Sequence, residues 1–209
     1  MRVFLLVVAV VAAGCGNVKE SLVERAIADL REEAGLVERT TVLDGRTVAY
    51  LERPGAEPTV VLVHGFGAQK DAWIRFAEAY PEGQRLVVPD LAGHGDSVRD
   101  PDATYDTQRL TAELSALLDV VAPDRIDVAG NSLGGAIAAR LALVRPQVRR
   151  LVLLDPAGVR GPTPTPLDTL LAQGESALVP TTRAEFDRLV DLAFVSDPEI
   201  PGIARDVLT

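Results

Sequence analysis

Four apolar runs constrain this chain more than anything else in it: TVVLV (59–63), RLVVPD (85–90), RIDVAG (125–130) and VRRLVLLD (148–155). Each is strand-length and largely apolar rather than alternating. Such a strand must be covered on both faces, which is the situation of a parallel sheet. The intervening segments carry helical periodicity. They are DAWIRFAEAY (71–80), stopped by Pro81, then YDTQRLTAELSALLDVVA (105–122) and LGGAIAARLALV (133–144). The second places Leu110, Leu114, Leu117, Leu118 and Val121 on one face. Strand and helix in alternation predict an α/β fold, a mostly parallel sheet flanked by helices.

Upstream of that core the pattern differs. VKESLVERAIADLREEAG (18–35) spaces Leu22, Val23, Ala26, Ile27, Leu30 and Ala34 as one helical face, so 15–35 is expected to form a lead-in helix. VERTTVLDGRTVAYLERPG (37–55) reads as two strands about Asp44–Gly45, a pair suited to a tight hairpin turn. The core is therefore assigned to 36–160. GPTPTP (161–166) breaks the rhythm, and two helix candidates follow with no strand between them. The second, TRAEFDRLVDLAF (182–194), has Thr182 and Glu185 at capping-box spacing. Residues 161–209 are expected to be an incomplete helical cap.

The first fourteen residues have the character of an export signal. Arg2 precedes the apolar run VFLLVVAVVAA (3–13), which ends at AAGC (12–15), directly before the chain's single cysteine. This resembles a bacterial lipoprotein signal, with Cys15 as the lipidated residue, although Ala12 stands where that signal usually has leucine. The alternatives are an ordinary cleaved signal with an incidental Cys15, or a short anchor. The lipoprotein reading expects an exported protein held in the cell envelope by its lipid anchor.

Composition removes one class of function. With 209 residues, 47% hydrophobic, the chain can bury a sizeable single core, and its net charge is −9. Nucleic-acid binding rests on basic side chains neutralising phosphates, so no nucleic-acid partner is expected.

The chemistry gathers around GNSLGG (130–135), between a predicted strand and a predicted helix. Gly130-Asn131-Ser132-Leu133-Gly134 fits G-x-S-x-G, the sharp strand-to-helix elbow that presents a serine nucleophile. The amide of Leu133 would point at charge developing on a substrate oxygen, and a second donor is needed beside it. HGFG (64–67) follows the strand TVVLV, and its Phe66 amide is the candidate for that donor. A serine also needs a base. The chain has two histidines, and both lie in strand-end loops with structural work to do: His64 opens HGFG, and His94 sits in GHGDS (93–97). Asp90 and Asp96 read as loop caps. Asp155, ending its strand, is a candidate triad acid, with a structural DPAG turn as the alternative.

In this order, HGFGAQKDAW (64–73), VVPDLAGHGDS (87–97), GNSLGG (130–135) and LVLLDPAG (151–158) resemble the α/β-hydrolase fold. More narrowly, they resemble its bacterial lipase and monoacylglycerol-lipase-like branch. The resemblance runs from about residue 40 onward. It implies Ser132 as nucleophile, Phe66 and Leu133 as the oxyanion hole, and residues from 161 as part of a lid over an acyl pocket. It also implies a small-molecule acyl ester as substrate, with no metal and no cofactor. The family carries its acid and its histidine, in that order, after the lid. Neither is found in these 209 residues, so the chain is expected to be C-terminally truncated, with its last strands missing and negligible activity by itself. LVLLD would then be an unpaired apolar edge prone to association. Two other readings stay open: a C–C bond hydrolase of the same fold, since GNS-x-GG also occurs there, and a non-catalytic truncated lipoprotein.

Overall fold

The computed structural model describes residues 16–159, 161–174 and 178–193. Cys15 and the expected signal segment lie outside the described residues. Six strands form one sheet: β1 (Val37–Leu43), β2 (Arg46–Arg53), β3 (Ala56–Val63), β4 (Gln84–Pro89), β5 (Ile126–Asn131) and β6 (Val148–Leu154). Their order across the sheet is β1-β2-β4-β3-β5-β6. β1 and β2 form the expected hairpin, with Leu43 opposite Arg46 around the Asp44–Gly45 turn. β2 also pairs antiparallel with β4, whereas β4, β3, β5 and β6 run parallel.

This order positions the site. β4 lies on one side of β3 and β5 on the other, so the connections diverge at the carboxyl ends of β3 and β5. In open α/β sheets that divergence leaves a crevice where ligands bind.

The helices are α1 (Gly16–Glu33), α2 (Ile74–Ala79), α3 (Thr107–Val121), α4 (Leu133–Val144), α5 (Pro166–Ala172) and α6 (Arg183–Ala193). Alternate residues of the central strands face opposite layers. Val61, Val63 and Val87 pack with Leu110, Leu114, Leu117 and Leu118 of α3 and with Ile137, Ala138 and Leu141 of α4. Val60, Leu62, Leu86 and Val88 pack on the other side with Trp73, Ile74 and Ala77, flanked by Ile27 and Leu30 of α1. Burying each such aliphatic side chain contributes about 1.5–3 kcal/mol. The helix expected over 71–80 is shorter, because the chain first makes a 3-10 turn at Lys70–Trp73.

By backbone contacts the chain divides into Ile27–Val159 and a second unit made of the remaining residues. In the second unit, both α5 and α6 open with reciprocal capping. Thr182 Oγ1 accepts from the Glu185 amide at 3.3 Å while Glu185 accepts from the Thr182 amide at 3.1 Å, as the spacing predicts. The equivalent Thr165–Asp168 box on α5 escapes the usual pattern because its third helical residue is Asp rather than Glu or Gln.

Among the described strands β6 is an edge, bonded to β5 alone. Leu151, Val152, Leu153 and Leu154 are 39%, 51%, 40% and 42% exposed. No helix among the described residues is long and apolar enough to cross a membrane.

Candidate active site

The elbow forms where β5 runs into α4. Ser132 has φ 51° and ψ −118°, a conformation strained for any residue but glycine, and its side chain makes no capping bond to α4. Its neighbours explain how the chain can turn so sharply. A methyl on Gly130 would fall on the carbonyl oxygen of Gly134, and one on Gly134 would fall on the carbonyl oxygens of Val63 and His64. The turn is clamped from outside its own strand. The Ser132 amide donates to the Leu154 carbonyl at 3.0 Å, and the Ser132 carbonyl accepts from Ala157 at 2.9 Å. Asn131 Nδ2 reaches the same Leu154 carbonyl at 3.2 Å.

The HGFG loop lies against this elbow. A β-carbon built on Gly65 would stand 3.3 Å from Ser132 Cβ, so the loop backbone runs directly beside the serine. Phe66 sits inside a turn closed by the Ala68 amide on the Gly65 carbonyl at 3.3 Å, a closure that does not use the Phe66 amide. Leu133 begins α4, and first-turn amides have no intrahelical acceptor. The sequence-predicted trio of Ser132, Phe66 and Leu133 is therefore brought together at the carboxyl ends of β3 and β5.

The histidines are held in structural roles. His64 is buried; its Nε2 accepts the Leu91 amide at 3.0 Å, which leaves Nδ1 to donate to the Gly65 carbonyl at 2.8 Å. Burial pushes its pKa below the ordinary imidazole value, against the raising effect of the Gly65 carbonyl. His94 Nδ1 lies 3.1 Å from the Ala92 carbonyl, and its ring packs 5.2 Å from His64 and 5.9 Å, edge-on, from Phe66. Asp155 follows β6 at φ 44° and is exposed. It stands between two residues that bond the elbow, Leu154 and Ala157, while the histidine nitrogens with described partners bond backbone groups.

Sequence reading missed the buried ionic group that follows the HGFG loop. Lys70 is fully buried, and its ammonium contacts Asp90 at 2.8 Å, Glu38 at 3.2 Å and Asp96. Burial by itself would lower the Lys70 pKa, but the hydrogen bonds that its ammonium donates to Asp90 and Asp96 outweigh it and the net shift is upward. Asp90 accepts the Lys70 amide at 2.7 Å and the Asp96 amide at 2.9 Å, so it is a buried ionic hub and more than a loop cap. Beside this hub, Arg31 of α1 grips Asp71 through two bonds of 2.7 Å. The signal available in sequence was the KD that follows HGFGAQ, which carries no indication of its distant partners. Among the described residues no cluster of three or more His, Cys, Asp or Glu is arranged to hold a metal.

Comparison with known proteins agrees with this architecture. Residues 58–196 match the family model described as the alpha/beta hydrolase fold. A 2-hydroxy-6-oxo-2,4-heptadienoate hydrolase from Pseudomonas putida is 36% identical over 161 residues, which cover 75% of this chain and 58% of that enzyme. Lipase 1 of Psychrobacter immobilis is 30% identical over 203 residues, covering 93% of this chain and 63% of the lipase. The crystal structure of a membrane phospholipase A matches with a TM-score of 0.84 at 37% identity, covering 100% of this chain and 69% of that one. The chain thus spans 58% and 63% of the length of these two curated relatives. Fold, elbow and similarity agree: the chain belongs to the α/β-hydrolase family, whose members are hydrolases.

Proposed function

We propose that this polypeptide is the nucleophile-bearing portion of a serine hydrolase of carboxylic esters, acting on monoacylglycerols or related lipid esters. The observation that carries the reading is the strained Ser132 elbow with the Gly65 backbone alongside it. Ser132 Oγ attacks the acyl carbonyl, and the Phe66 and Leu133 amides hold the oxyanion. The alcohol leaves, and water then releases the acid from the acyl-enzyme. His64 has both ring nitrogens engaged, and His94 is held by Ala92. The reading therefore takes the proton acceptor and its orienting acid from a longer form of the polypeptide, with Asp155 the alternative candidate for the acid. Residues from 161 onward serve as its lid. The likeness to a membrane phospholipase A along the whole chain and to Lipase 1 over 93% of it supports a lipid ester as substrate.

A second reading, C–C bond hydrolysis of a ring-cleavage product, is favoured by the 36% identity to the heptadienoate hydrolase. Assaying a longer form against a monoacylglycerol analogue and a dienoic diketo acid, with Ser132→Ala as control, separates the two. Preferential turnover of the diketo acid would overturn the ester reading.

The same proposal places the protein at a membrane through a lipid on Cys15. A diacylated cysteine anchors stably where one acyl chain does not. Intact mass of the mature protein tests it, since an unmodified chain beginning elsewhere than Cys15 would exclude lipidation.

A further inference from the structure

A partly open pocket of about 180 Å³ lies away from the elbow, between the β1–β2 hairpin, the segment after β4 and α3. Its apolar wall comes from Leu43, Val48, Leu91, Leu110, Leu114 and Leu117, the last three from successive turns of one face of α3. None of Ser132, Phe66 or Leu133 lines it. At its rim Arg46 pairs with Glu113 at 3.1 Å, and Glu113 also accepts Arg109 Nε at 3.0 Å.

The two buried polar side chains of the wall, Ser97 and Asp90, are already occupied. Ser97 Oγ donates to the Asp90 carbonyl at 2.9 Å and accepts the Ala49 amide at 3.0 Å. The Asp90 carboxylate is taken by Lys70 and the Asp96 amide. An enclosed apolar cavity of about 150 Å³ admits benzene, and this partly open pocket offers comparable room against a wall of leucines. We propose that this pocket is a binding site for a small neutral apolar molecule, an aromatic ring or short alkyl group of benzene size. A charged analogue is disfavoured, because its carboxylate would be buried among leucines or would have to displace Glu113 from its arginines.

The test uses benzene and benzoate with the 209-residue protein and follows leucine methyl NMR and the thermal midpoint. This readout is independent of catalysis, so its outcome says nothing for or against the esterase reading. Benzene is expected to shift the methyls of Leu110, Leu114 and Leu117 saturably and to raise the midpoint, with benzoate at least about tenfold weaker, a difference of about 1.4 kcal/mol. Ala92→Ile, which fills the space from its wall, abolishes the effect. Should that variant not fold, Leu114→Ala serves instead, enlarging the site so that naphthalene binds as well. Absence of saturable shifts, equal binding of benzoate, or unchanged binding in the filled variant overturns the proposal. So do shifts of the same methyls on concentrating the protein without ligand, which would make the pocket a contact between two copies.

Discussion

Asp90 holds Lys70 at both ends of the residue: Oδ1 accepts its amide at 2.7 Å and Oδ2 its ammonium at 2.8 Å, with both side chains fully buried. Removing one member of a buried pair leaves an uncompensated charge, which costs about 3–5 kcal/mol. Lys70→Met is expected to destabilise by about that amount. Lys70→Met combined with Asp90→Asn should lose less than the sum of the single changes. Urea unfolding of the four proteins in a double-mutant cycle measures the difference, and strict additivity would refute the coupling.

The two glycines at either end of the hydrolase loops make a contrasting pair. Gly134→Ala drives a methyl into the Val63 and His64 carbonyl oxygens, whereas a methyl on Gly67 meets nothing within 4 Å. The first change should cost about 3 kcal/mol by overpacking. The second should cost about 1–2 kcal/mol, from the φ of +70° alone. Denaturant midpoints rank them; equal losses would mean the elbow is looser than described.

His64 gives stability a pH dependence of known sign. Its pKa is lowered by burial, so the unfolded chain binds the proton more readily than the folded one. The stabilisation is complete above the unfolded value of about 6.5 and is lost as pH falls below it, with a slope of up to about 1.4 kcal/mol per pH unit. Asp96, depressed by its hydrogen bond to Lys70, acts in a separate window. Its contribution is present above the ordinary carboxylate range and disappears only at lower pH. Melting His64→Gln beside the parent from pH 7.5 to 5 should show the upper transition in the parent only.

The exposed apolar edge at β6 should drive self-association. Val152→Lys, at a position 51% exposed, places a charge on that edge without removing a core side chain. Light scattering during a concentration series is expected to show less association for the variant at an unchanged melting temperature. Equal association would move the cause elsewhere on the surface.

Catalysis by the 209 residues alone should stay far below the ordinary enzyme range of ~1–10³ s⁻¹. Oxyanion donors without a working base still leave an acceleration of roughly 10³–10⁴ over water. Hydrolysis of a short-chain p-nitrophenyl ester, with Ser132→Ala as background, is the measurement. Turnover within the enzyme range that vanishes in the alanine variant would make His64 or His94 the base.

Much of this molecule could be read from the chain because the deciding interactions are local. The spacing of Leu110, Leu114 and Leu117 announces a buried helix face, and the glycines around Ser132 announce a turn in which a β-carbon has no room. Lys70 was opaque for the opposite reason. In sequence it is a loop lysine, and its partners Asp90, Asp96 and Glu38 come close only once β4 has paired beside β3 and β1 beside β2. The pocket beside α3 was likewise hidden, since it is a gap left by three elements rather than a property of any one.

The tether between Ser132 and the end of β6 has a consequence for how the site is aimed. The serine takes its amide's acceptor from Leu154 and lends its own carbonyl to Ala157, so its orientation is referenced to the next strand along. That strand is one of the described sheet's two margins, with one neighbour in place of two. The hydroxyl therefore works like a gauge needle mounted on an edge of the sheet rather than on its middle. Whatever seats β6 more firmly, or lets it shift, reaches the serine backbone through those two bonds without touching its side chain.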